Sequence, residues 1–265
     1  MGEYSDKLGA YDEPVPFDGA ADGLKSAATV LSGTLKDQGA SRSGWATTAL
    51  TEFRGHYADV FDANSQAACD DCSNIASALD ALAVDVQTMK EAAAAERERR
   101  RQAKEWAERQ DRETFLKRGW DWLTNRDQPP AGPPAKPVVG AEAPTVASWS
   151  EPGPGAAGGV SSARPDDLRT YSSNVSGAND TVVTQKGTLE GAITDFVERC
   201  SWCSINTSGI TGALASFEAN NANEVRWVDT VAAAFEAAGG SGTVSSLSDV
   251  TLAECLAAAG VAETR

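Results

Sequence analysis

The sequence predicts an all-α protein: two antiparallel helical hairpins of long, coiled-coil-like helices joined by a Pro/Gly-rich linker. Three observations carry that expectation. Cys72, Ile75, Leu79, Leu82, Val86 and Met89 recur at alternating steps of three and four, an apolar seam of period 3.5. Such a seam belongs to a helix lying along a partner helix. Upstream, Leu24, Ala28, Leu31 and Leu35 repeat the spacing, and Phe53-Arg54-Gly55 breaks the chain between the two runs. Eight of the eleven prolines fall between Pro129 and Pro154, a density that forbids helix and favours extended backbone.

The elements follow in order. Asp18 is placed to cap the first helix, which runs through Leu35 and weakens at Gly39 before Trp45, Ala49 and Phe53 resume at four-residue spacing. Gly55 supplies the backbone freedom for a reversal. A long second helix is expected from about His56 to Phe115. Its later part, 96–126, holds ten Lys/Arg beside seven acids, the mixture of a solvated, salt-bridge-laced face on which Trp106, Trp120 and Trp122 stay partly exposed. Residues 127–163 read as an extended linker with no core of its own. Pro165-Asp166-Asp167 opens the second half, with proline at the first helical position and acids in the first turn. Leu168, Tyr171, Val175, Ala178, Val182, Leu189, Ala192 and Phe196 then keep the three/four alternation. The run Asn206-Thr207-Ser208-Gly209 breaks it. A further helix carries Ile210, Leu214, Phe217, Val228, Val231 and Phe235, with Trp227 sealing it, and glycines 239, 240 and 242 end it. Leu252 to Ala259 closes the chain as a short helix. The expected division is a hairpin over 1–126, the linker 127–163, a second hairpin over 164–240 and a helical tail over 241–265.

Composition narrows the function. A net charge of −15 argues against nucleic acid and anionic membrane surfaces. No run of 18 apolar residues exists, so no integral membrane segment is expected. Residues 1–25 lack a basic start and an apolar stretch, which is not the pattern of a Sec-type leader.

The first half resembles the WXG superfamily, the small helical hairpins of type VII (ESX-like) secretion in actinobacteria and firmicutes. The likeness rests on Phe53-Arg54-Gly55 about 35 residues after Asp18, with Phe where the family has Trp, and on the following Tyr57-Ala58-Asp59-Val60-Phe61. The second half is similar to a module seen beside such hairpins in secreted proteins and polymorphic toxins. There the carriers are Arg164-Pro165-x-x-Leu168-x-x-Tyr171 and Asn220 followed by Trp227-Val228-x-x-Val231-x-x-x-Phe235. The family's export signal, Tyr-x-x-x-Asp/Glu, is missing: Leu8, Val15, Phe61 and Val175 stand four residues after the four tyrosines. The resemblance implies a protein partner, either a WXG-type hairpin or secretion component or a second copy. It also implies release by a non-Sec route, with the chain cytoplasmic beforehand. Trp45, Phe53, Arg54 and Gly55 are then the expected turn and contact residues.

The cysteines carry the remaining chemistry. Cys69-Asp70-Asp71-Cys72 and Cys200-Ser201-Trp202-Cys203 form two C-x-x-C pairs, with Cys255 left over. A four-thiolate zinc site wants its pairs 15–20 residues apart on turns, whereas 127 residues intervene here. Buried thiols and a disulfide remain as alternatives for Cys69, Cys72, Cys200 and Cys203. His56, the single histidine, adjoins the turn glycine at a helix start, a poor place to anchor a catalytic dyad. No phosphate-binding, nucleophile-elbow or zinc-protease motif is present. The expectation is therefore a non-enzymatic recognition protein without catalytic residues, cofactor or metal. Two rivals stand beside it: a toxin-like enzyme with its site in the C-terminal half, and a cytoplasmic scaffold.

Overall fold

Helix α1 (Ala20–Ala49) starts where the sequence places its cap, the Asp18 carboxylate accepting the Ala20 amide at 3.0 Å. The computed structural model describes residues 8–112, 129–140, 142–149, 153, 155–240 and 242–260. These are mainly helical, and the all-α class holds. After α1 come α2 (His56–Arg112), α3 (Pro165–Arg199), α4 (Ser208–Gly239) and α5 (Asp249–Ala258). Gly39 does not interrupt α1. Its missing side chain admits a neighbour instead, since a Cβ there would sit 3.3 Å from the Cys72 Cβ.

Four short strands, not foreseen in the sequence, accompany the helices. β1 (Val138–Gly140) pairs in parallel with β3 (Ser204–Asn206), and β2 (Val160–Ala163) pairs antiparallel with β4 (Ser245–Ser248). Each has three or four residues, too few for an alternating pattern to stand out.

Contacts group the chain into two compact units, each assembled from three segments. One comprises Met1–Ser26, Ala83–Gly140 and Ala192–Asn206; the other comprises Ala27–Leu82, Ala141–Gly191 and Thr207–Arg265. Both therefore draw on residues from either side of the proline-rich stretch.

In the first unit Leu8, Tyr11, Ala103, Trp106 and Ala107 form an apolar cluster. Trp106 is buried, against the expectation of partial exposure, because Leu8 and Tyr11 cover it. Trp120 and Trp122 lie outside the described residues. The charged part of α2 behaves in two ways. Arg101 pairs with Glu98 and Glu105 on an exposed face, as its alternating charge suggests. Glu96, by contrast, is buried between Arg99 and Arg100, whose hydrogen bonds, Arg99's foremost, hold its carboxyl below the usual range. Those arginines then reach the chain ahead of α1: Arg99 donates to the Leu8 carbonyl at 2.9 Å and Arg100 to that of Glu13 at 2.7 Å. Arg97 donates to the Phe17 carbonyl.

The second unit holds the larger core. Phe53, Tyr57, Phe61, Tyr171, Trp227, Phe235 and Leu252 meet there. Part of the stretch expected to lack packing joins it. Trp149 lies against this core at 6.0 Å from Trp227, ring centre to ring centre, and Ala163 is fully buried. The backbone that brings Trp149 in is held by side chains: Ala147 N–H donates to Asp71 at 2.8 Å, while its carbonyl accepts from Asn220 at 2.6 Å. Residues 131–136, in contrast, are all exposed. A broad-specificity protease is expected to cut there before it cuts within 142–149, where hydrogen-bonded backbone resists opening. Equal early cleavage in both segments, read by mass spectrometry, would contradict this.

Candidate functional site

The candidate site is the turn between α1 and α2 and the buried polar groups around it, all within the second unit. Gly55 has φ +92°, a left-handed conformation that side chains rarely adopt. Val160 and Ser161 close in on it, so that a Cβ would stand 2.6 Å from the Val160 carbonyl oxygen and 2.7 Å from Ser161 Oγ. Arg54 exchanges two backbone hydrogen bonds with Ser162, at 2.8 and 3.0 Å. Its guanidinium donates back to the carbonyls of Leu50, Thr51 and Phe53, tying together the turn that follows α1.

Phe53 is not the exposed contact aromatic that a hairpin tip suggests. It is 1% exposed, 5.7 Å from the Phe61 ring and 6.2 Å from that of Phe235. Trp45 is half-buried against the same core. Phe53→Ala is accordingly expected to cost about 3–5 kcal/mol through the cavity it leaves. Chemical denaturation measures this, and a loss under 1 kcal/mol would show that the ring is dispensable.

A polar network that the sequence reading missed joins α1, α3 and α4. Arg42, Tyr171, Asn221 and Glu224 are each no more than 4% exposed. Arg42 donates to Asn221 Oδ1 at 2.9 Å, to Tyr171 Oη at 3.3 Å and to Glu224 Oε2. Tyr171 donates in turn to Glu224 Oε1 at 2.5 Å, and Asn221 Nδ2 to Asn179 at 3.2 Å. Burial works against the Arg42 charge, yet Glu224 and Tyr171 outweigh it and hold the guanidinium above its ordinary range. Burial, then the Glu224 charge, pushes the Tyr171 hydroxyl up. Both Glu224 oxygens accept a hydrogen bond, Oε2 from Arg42 and Oε1 from Tyr171, which fixes the carboxylate in place.

A second buried group lies against the turn itself, where Ser161 closes on Gly55. Ser161 donates to Asp249 Oδ1 at 2.8 Å, and Tyr57 Oη donates to the Asp249 carbonyl at 3.3 Å. Gly155 and Gly159 pass so close to the Asp249 carboxylate that a Cβ on either would run into it. The glycines read as linker are thus seats for a carboxylate. His56 Nε2 bonds the Gly153 carbonyl at 3.0 Å.

All five cysteines are free. Cys69 and Cys72 lie on α2, Cys72 buried and pushed up to about 12 by that burial. Cys200 and Cys203 follow the end of α3, both buried. Among the described residues no three His, Cys, Asp or Glu stand close enough to hold a metal ion, and no helix is long and apolar enough to cross a membrane.

No protein-family model, no curated protein and no solved structure matches the chain.

Proposed function

We propose that the chain is a non-enzymatic, helical recognition protein of the type VII (ESX-like) secretion kind, an exported substrate or the export and partner-binding part of an effector. The observation that supports this most is the ladder of contacts leading away from Gly55. Gly39 meets Cys69, Lys36 meets Asp80, Lys25 meets Gln87 and Asp22 meets Lys90. Within each unit, taken by itself, partner numbers rise as those on α1 fall, the order expected of an antiparallel helical hairpin turning at Phe53-Arg54-Gly55. On α3 and α4, Tyr171 meets Glu224, Asn179 meets Asn221 and Lys186 meets Glu218 in the same sense. Two hairpins offer long outward faces for helix-on-helix recognition. With Phe53 inside, those faces rather than the turn meet the partner, a WXG-type hairpin, a secretion component or a second copy.

The test is export from an actinobacterial host with an intact or an inactivated type VII ATPase. The chain is expected in the culture medium of the first and absent from that of the second. Equal release from both, with equal intracellular amounts and no lysis, would refute the secretion reading.

A further inference from the structure

Cys200 and Cys203 share one tight turn. The Cys200 amide donates to the Phe196 carbonyl at 2.8 Å at the end of α3, and the Cys203 amide donates back to the Cys200 carbonyl at 3.2 Å. A turn closed in this way keeps its outer Cα atoms within about 7 Å. A disulfide spans Cα atoms about 4.4–6.8 Å apart. Neither thiol is committed elsewhere by a strong bond: Cys200 Sγ stands 4.0 Å from the Asp18 carbonyl, and Cys203 Sγ stands 3.5 Å from the Met89 sulfur. The other pair is placed differently. Cys69 and Cys72 lie inside the unbroken helix α2. Residues three apart on a helix hold their Cβ atoms about 5–6 Å apart, wider than the roughly 3.5–4.5 Å of a disulfide.

We infer that Cys200 and Cys203 are a redox-active dithiol, closed to an intrachain disulfide by a small-molecule disulfide such as oxidised glutathione, while Cys69 and Cys72 stay reduced. One cysteine thiolate attacks a glutathione sulfur and expels a glutathione thiolate, which takes up a proton. The second cysteine thiolate attacks the protein sulfur of the mixed disulfide and expels the other glutathione. Two protein thiols are oxidised and one glutathione disulfide is reduced to two thiols. Burial raises both cysteines, Cys203 to about 11, so the exchange is slow at neutral pH.

So short a ring restricts little of the unfolded chain, which suits a sensor better than a staple. The turn also touches the segment ahead of α1. Trp202 N–H donates to the Pro16 carbonyl at 3.3 Å, and closing the disulfide withdraws the Cys200 S–H from Asp18. Residues 16–18 would thereby register the redox state.

The experiment incubates the full chain with oxidised glutathione until its thiol titre is constant, quenches in acid and maps the peptides by mass spectrometry. Two of the five thiols should disappear as one Cys200–Cys203 disulfide, with the chain lighter by two hydrogens. Cys200→Ser should abolish that product, and Cys69→Ser with Cys72→Ser should preserve it. Three results overturn the inference: all five thiols persisting under conditions that oxidise the denatured chain, a stable glutathione adduct, or a disulfide using Cys69, Cys72 or Cys255. Because the readout is thiol chemistry, it is independent of whether the chain is exported.

Discussion

Gly55→Val is expected to unfold the chain or to cost it about 2–6 kcal/mol. Two effects add. The left-handed φ of +92° is strained for a β-branched residue, worth roughly 1–3 kcal/mol. The new side chain would also meet backbone: the Val160 carbonyl oxygen at 2.6 Å and the Ser161 Cα at 2.9 Å. Backbone yields less readily than a side-chain tip, so overpacking adds about 1–3 kcal/mol. Relieving the clash would part Arg54 from Ser162 and disturb the Ser161 bond to Asp249. Equilibrium denaturation followed by helical circular dichroism measures the loss. A variant within 1 kcal/mol of the parent would show that the turn can relax freely, which the packing described above does not allow.

The second large effect is expected at the buried ion pair. Glu224→Leu or Arg42→Met alone strands a charge in the core, at a cost of about 3–5 kcal/mol. Changing both together should cost far less, within about 1–2 kcal/mol of the parent, because no unpaired charge remains. The contrast between single and double variants is the diagnostic. Simple additivity would mean that Arg42 and Glu224 do not act as a pair. Tyr171→Phe, which removes one donor to Glu224 and one acceptor for Arg42, should lose about 1–3 kcal/mol.

The helices were legible because their signals are local. Asp18, Gly55, Pro165 and the glycines after α4 mark ends by backbone chemistry alone, and the seam residues Ile75 to Met89 are buried along the face their spacing defines. Phe53 was misread because a turn aromatic looks the same whether it meets water or residues far along the chain, and its partner Phe235 is remote in sequence. Residues 142–149 and 155–163 were misread for a related reason. Proline and glycine exclude helix, but they do not exclude packing once Asp71 and Asn220 satisfy the backbone. The polar network left a trace that went unused. Ile210, Leu214, Phe217, Asn221, Glu224, Val228, Val231 and Phe235 form one unbroken alternation of four and three, with two polar residues in apolar slots. Arg42 occupies the matching kind of slot between Leu35 and Ala46. Opposite charges in two seams were a signal that the seams meet.

That pairing bears on a weakness of alanine-rich helices. Small, repetitive side chains fit one another almost equally well after a slide of one turn, so such helices are poor at choosing their own alignment. A slide at α4 would set the Arg42 guanidinium against Phe217 or Val228 and leave Glu224 facing hydrocarbon. The offset present satisfies both charges and the Tyr171 hydroxyl together. The network therefore works as an indexing mark: it makes misaligned packings too costly to populate and leaves the alanines around it free to vary.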